Sequence, residues 1–226
     1  MKNPSRQALT SLLLTLALGG TVAACGNDDS DAGSGANASD TGPATASATP
    51  ASAADVDQAF VRQMVPHHQM AVVMAESALQ RADHTELKTL STAIVRAQKK
   101  EIADLTEVGK DLGAKTDHSS MMGSDAQTLG LSMDEMGMSM DMNDLGGSGD
   151  FDREFIDQMT VHHRGAIAMA KAELSRGGDE RLQTIAREII SAQEKEIAQM
   201  GAWRAAWFGT ADVPDDAGDH MGHTQN

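Results

Sequence analysis

Residues 55–105 align with residues 150–200 at a constant offset of 95 positions, without a gap, and 21 of the 51 pairs are identical. The identities include Phe60/Phe155, Met64/Met159, Leu79/Leu174, Gln98/Gln193 and Glu101/Glu196. Unrelated segments would share only a few, so the folded part of the chain is a duplicated unit. Each copy must be a complete supersecondary piece, and the apolar face that one copy leaves uncovered is available to bury the other's.

The content of each copy is helical. A first helix starts at an N-cap candidate, Asp55 followed by Gln58, or Asp150, and ends near Arg81-Ala82-Asp83 or Arg176-Gly177-Gly178. A second helix runs from about Thr85 to Leu112, before Gly113, or from about Asp179 to Phe208, before Gly209. No segment alternates with strand period. Two helical hairpins with short turns give an all-α four-helix bundle over residues 55–208, as repeat 1 (55–112), a link (113–149) and repeat 2 (150–208). An up-down-up-down order makes the first helices of the two copies parallel, with equivalent residues at equal height.

The flanks are of a different kind. Lys2 and Arg6, an apolar run from Leu9 to Leu18 and small residues up to Ala24 have the anatomy of a secretory leader, residues 1–24. Val22-Ala23-Ala24-Cys25 resembles a lipobox, in which Cys25 is lipidated and anchors the chain to the outer face of the cytoplasmic membrane or in the periplasm; the alternative is an ordinary leader cut after Ala24. Cys25 is the sole cysteine, which excludes an intrachain disulfide and a thiolate site in the fold. From Gly26 to residue 54 no bulky apolar residue is available to offset the entropy of ordering, so residues 25–54 are expected to be a lipidated Cys25 and a disordered tether, with a reach of roughly 30 Å. Residues 209–226 are expected to be a disordered tail, in which Asp219-His220-Met221-Gly222-His223 is either a weak metal trap or a solvated end. The net charge is −15, and 16 basic against 33 acidic residues remain once the leader is removed. Such a surface repels nucleic acid and attracts cations.

The chemistry concentrates in MVPHHQMAVVMA, residues 64–75, and its counterpart MTVHHRGAIAMA, residues 159–170. At about 100° per residue, Met64, His67, His68 and Met74 share one third of a helix circumference, as do Met159, His162, His163 and Met169. Both sets lie inside apolar stripes, Val56, Phe60, Val61, Ala71, Val72, Ala78 and Leu79 in one copy and Phe151, Phe155, Ile156, Ala166, Ile167 and Leu174 in the other. A single histidine on such a face is usually a satisfied core residue; four, paired and duplicated, point to a metal site. The second helices place Gln98 with Glu101, and Gln193 with Glu196, at mid-stripe and at the histidine level. There they are outer acceptors orienting imidazole N–H groups, direct ligands, or a structural polar layer that sets register. Imidazole with thioether and no thiolate favours Cu(I), with Ag(I) similar and Cu(II) held by imidazole. Pro66 precedes the first His pair and is expected to kink or loosen its turn; Val161 stands there in the second copy.

The link is longer than a four-helix bundle needs. It carries His118 and Met121, Met122, Met133, Met136, Met138, Met140 and Met142, read either as apolar padding or as accessory donors for a soft monovalent ion. Ser132 with Glu135 could cap a short helix.

Met-Val-Pro-His-His-Gln-Met-Ala, the second His-His-x-Gly-Ala-Ile-x-Met-Ala and the Gln-x-x-Glu-Ile after each resemble the domain of unknown function 305 family of exported bacterial proteins. The resemblance covers about residues 55–208. It implies a ferritin-like helical bundle and copper binding through His and Met, which map onto Met64, His67, His68, Met74, Met159, His162, His163 and Met169. Gly165 stands where the first copy has Met70, which sets Met70 apart from that pattern. The expectation is a copper-binding lipoprotein that sequesters or hands on the metal without catalysis, its partners being copper ions and the membrane through Cys25. Protein partners are unknown at this level. The alternatives are a metal-dependent oxidoreductase, such as a cuprous oxidase, and a metal-free sensor or interaction module.

Overall fold

The computed structural model describes residues 50–116, 123–138, 145 and 149–213; Cys25, the leader, most of the tether, His118, Met121, Met122, Met140, Met142 and the His-Met tail lie outside them. Among the described residues there are five helices and no strand: α1 (Ala53–Arg81), α2 (Thr85–Asp111), α3 (Gly123–Leu129), α4 (Phe151–Arg176) and α5 (Glu180–Phe208). None of them is long and apolar enough to cross a membrane.

The starts follow local chemistry. The N-cap of α1 is Ser52 rather than Asp55: Ser52 Oγ accepts from Asp55 N, and the Asp55 carboxylate accepts from Ser52 N at 2.9 Å, a reciprocal capping box. Helix α1 thus begins inside the stretch expected to be tether. Asp150 caps α4 as expected, and Asp179 caps α5. Gly209, at φ 84, ends α5 in the left-handed conformation that a Cβ disfavours. Helix α1 continues unbroken through the buried Pro66.

Helix α2 packs on α1, α5 on α4, and α1 meets α4 at the centre. The central pair is antiparallel, not parallel. Asp57, near the start of α1, accepts from Gly178 N at 2.8 Å and Asp179 N at 3.2 Å, beyond the end of α4. Asp152, near the start of α4, accepts from Asp83 N at 3.0 Å and His84 N at 2.8 Å, beyond the end of α1. The order is therefore up-down-down-up, and the link must climb the whole bundle. It does so visibly: Gln58 binds Leu112 O, Arg62 grips Asp125 at 2.7 Å, His67 meets Met136 O, and Arg81 binds Leu145 O. A helix of 29 residues is roughly 43 Å long, so the length of the link follows from topology.

The link also holds one element with no clear sequence signal, α3, whose C-terminal carbonyls at Thr128 and Leu129 are capped by Arg176. Ser132 and Glu135 form the expected reciprocal cap, but it closes only a turn, ended by Gly137 at φ 64.

Two apolar clusters fill the bundle. One holds Phe60, Met64, Met136, Met169 and Leu182, the other Met74, Leu87, Ile94, Phe155 and Met159. Leu79, placed on the stripe by sequence, is 38% exposed.

Candidate metal centre

His67 sits at the midpoint of α1 and His162 near the midpoint of α4. In an antiparallel pair only residues near both midpoints meet their own counterparts, and these two do. Their ring centroids are 3.6 Å apart with planes tilted by 35°. The following residues diverge, as 100° per residue requires: His68 lies 6.3 Å from His67 and His163 lies 6.4 Å from His162. Each turns towards the second helix of its own hairpin. His163 Nε2 is 2.6 Å from Glu196 Oε2 in an aligned hydrogen bond. His68 Nε2 is 2.8 Å from Glu101 Oε2, with the distance of such a bond but not its alignment. All four rings are fully buried. The convergence expected from parallel helices is present, and it arises instead from the mid-helix position of the motif.

The thioethers confirm the antiparallel register. Met64 shares a cluster with Met169, and Met74 with Met159, whereas parallel helices would pair Met64 with Met159. The imidazole layer separates the two clusters, so each side of it is faced by one methionine from each copy. Met136 joins the Met64 side and is fully buried, Met138 is half-buried, and Met133 is exposed.

Gly165 explains how the link reaches this layer. A Cβ there would lie 2.1 Å from Met136 O, so only glycine lets the Met136–Gly137 backbone rest on α4. Seated so, Met136 O is 3.0 Å from His67 Nε2. The Met70/Gly165 difference between the copies is thus the docking place of the link.

Burial holds His67 and His162 well below the usual histidine pKa, and the other imidazoles add to the effect. Both are neutral at neutral pH, the state that binds a metal ion. In this layer His67 Nδ1, both nitrogens of His68 and of His162, and His163 Nδ1 are buried without an aligned partner, as are all amide atoms of Gln98 and Gln193 on α2 and α5. Glu196 is hydrogen-bonded to His163 Nε2 and Glu101 lies 2.8 Å from His68 Nε2, whereas Gln98 and Gln193 are buried with no aligned bond from either amide group. An unsatisfied buried polar atom costs about 1–3 kcal/mol. Several together approach the roughly 5–15 kcal/mol of stability that a domain has. Ordered water or an ion must satisfy the layer, and imidazole with thioether is a donor set that suits soft metals. Among the described residues, no three His, Cys, Asp or Glu side chains are grouped as a metal site. Holding an ion here would need the thioethers, or a small turn of the rings.

Two buried carboxylates outside the layer were not singled out from the sequence. Asp57 and Asp152 cap each other's hairpins, and their signal was present in the repeat: both are Asp at equivalent positions. Beside Asp57, Glu173 is fully buried. Burial first, then the neighbouring Asp57 carboxylate, push its pKa up to about 8.

These features define a duplicated-hairpin bundle with a buried imidazole layer, walled by thioethers, where its two central helices cross. The chain belongs to the family described as Domain of unknown function (DUF305), which it matches over residues 57–204. It is similar to CopM, solved in a Cu(I)-bound form (35% identity, TM-score 0.56, spanning 68% of this chain and 98% of CopM). CopM has also been solved in a Cu(II)-bound form, with 37% identity, TM-score 0.56 and coverage of 67% and 97%. A DUF305 protein from Streptomyces coelicolor is similar at 28% identity, TM-score 0.60, over 69% of this chain and 95% of that one. No curated protein matches the chain.

Proposed function

We propose that this protein is an extracytoplasmic copper-binding lipoprotein that sequesters or hands on copper, without catalysis. His67, His68, His162, His163, Met64, Met74, Met159 and Met169 supply the donors, and Met133, Met136, Met138, Met140, Met142, Met121, Met122 and His118 assist from the link. The supporting observation is the mid-bundle meeting of four buried imidazoles whose free nitrogens have no aligned partner within the protein. The copper- and silver-bound forms of CopM support the choice of metal. Export and anchoring at Cys25 rest on the leader. The antiparallel crossing lets one central region draw on both copies, which suits a carrier that must hold an ion away from water and oxidants.

One observation favours a metal-free scaffold instead: no grouped His, Asp and Glu triad stands ready among the described residues. Titration of the purified chain with Cu(I) and Cu(II), followed by elemental analysis after dialysis, separates the two readings. Copper retained at a fixed stoichiometry, and lost when all four histidines become alanine, is the expected result. A chain that emerges without copper is a scaffold.

A further inference from the structure

The two ends of the central helix pair are closed by the same device, with one difference. At one end Asp152 accepts from Asp83 N and His84 N; at the other Asp57 Oδ1 accepts from Gly178 N at 2.8 Å and Asp179 N at 3.2 Å. Where the first copy has Ala78, the second has Glu173, fully buried beside Asp57. Neither Glu173 oxygen has a hydrogen-bond partner in the protein. A carboxylate there would lose its hydration with nothing in exchange. The neighbouring cations are committed elsewhere. Arg176, on the same helix, binds the carbonyls of Thr128 and Leu129 on α3, and Arg62 of α1 binds Asp125. At the head of α5, Arg181 binds Asp179 and, on α2, Asp111. The charges that act on Glu173 from α1 and from the head of α5 are those of Asp57 and Asp179, both of its own sign.

Glu173 has no room to retreat. Its carboxyl lies over the α-carbon of Gly177, where a Cβ would stand 2.2 Å from Oε1 and 2.4 Å from Cδ. The next residue rests on α1, since a Cβ on Gly178 would lie 3.2 Å from that of Ala53. Two carboxylates side by side hold no donor; one proton on Glu173 supplies it, and Asp57 Oδ2, which takes neither backbone N–H, is left to accept. We propose that the turn between α4 and α5 is a proton-held latch, in which the neutral carboxyl of Glu173 donates to Asp57 and so keeps Asp57 on the N–H groups of Gly178 and Asp179. When that proton passes to water, two like charges meet. Gly177 blocks Glu173 from behind, so Asp57 is pushed off the turn and the start of α1 parts from it. Burial, then the neighbouring Asp57 carboxylate, raise the Glu173 pKa to about 8, so the latch is closed in acid and at neutral pH and opens in mild alkali. It lies about 15 Å along α1 from His67 and works with or without copper.

Carbon-13 NMR of the glutamate carboxyls in the full chain, with the Glu173 signal assigned by its loss in Glu173→Gln, reads the proton itself. A step near pH 8 is expected, and a step at the ordinary 4.5 would overturn the proposal. Amide hydrogen exchange, corrected for its intrinsic pH dependence, reads the latch. Protection of Gly178 and Asp179 should fall about tenfold or more through the same step, the order of a charged hydrogen bond. Glu173→Gln keeps a neutral donor of the same shape and should hold that protection throughout. The amides of Asp83 and His84, held by Asp152 where Ala78 replaces Glu173, should not follow the step. Flat protection in the wild type, or an equal fall in Glu173→Gln, would show that the proton does not hold the turn. Asp57→Asn, checked for a native helical spectrum, removes the like charge and should lower the Glu173 midpoint by about one pH unit or more. An unchanged midpoint would leave burial as its sole cause and refute the pair.

Discussion

At the scale of single residues, glycine and glutamate carry the most specific expectations. Gly165→Ala places a methyl 2.1 Å from the Met136 carbonyl, so the link turn must lift off α4. Overpacking of this kind costs about 1–3 kcal/mol, to be read as a lowered denaturant midpoint; a midpoint equal to wild type would mean the turn does not rest there. Glu173 contributes a pH dependence whose sign is fixed. Its pKa is raised to about 8 in the fold from an ordinary 4.5, so between those values the folded state holds a proton that the unfolded state has lost. Its contribution is intact below 4.5 and declines as pH rises to about 8. Glu173→Gln should remove that slope, giving a Tm close to wild type near pH 5 and above it near pH 8. A Tm difference independent of pH would contradict the shift. None of this was legible beforehand: the first copy has Ala78 where the second has Glu173, and a glycine in a helix does not announce what rests on it.

At the scale of elements, the repeat made the four long helices and their turns readable, because hydrophobic period and capping residues act locally. The direction of packing was not readable. Parallel and antiparallel arrangements bury the same stripes, and the choice rests on long-range capping by Asp57 and Asp152, which helix periodicity does not encode. Helix α2 has no side-chain cap of its own, and Asp152 serves its first turn from across the bundle. Asp152→Ala should therefore cost about 2 kcal/mol or more, as charged hydrogen bonds are worth roughly 1.5–3 kcal/mol. Urea unfolding that left stability unchanged would show the cross-hairpin cap to be idle. The link belongs to this scale as well. Replacing Met133, Met136, Met138, Met140 and Met142 by Leu should lower Cu(I) capacity and spare Cu(II), since thioethers are soft donors and imidazole serves both states. Equal loss of both ions, or of neither, would assign the link to padding.

At the scale of the whole molecule, the candidate site is where the symmetry of the duplication meets its one asymmetric partner. His67 and His162 stack, the two Glu-His pairs flank them, and the Met64/Met169 and Met74/Met159 clusters lie on either side. The residues of that layer were legible in the sequence because four histidines on apolar stripes demand a reason. The pairing of the methionines was not, since it depends on helix direction. The central histidines also give the molecule an acid limb. Their pKa values are lowered in the fold, so as pH falls below the ordinary 6.5 the unfolded state gains protons that the folded state refuses, and stability drops. The same burial should let these two rings keep copper into stronger acid than exposed histidines would, and bound copper should steepen the loss once they are protonated. The most direct measurement is copper stoichiometry and affinity for two double variants, His67→Ala/His68→Ala and His162→Ala/His163→Ala, each checked for a native helical spectrum. A layer built from both copies predicts that either variant weakens all the tightly bound copper. Each variant retaining half of the copper at unchanged affinity would contradict it and leave two independent sites.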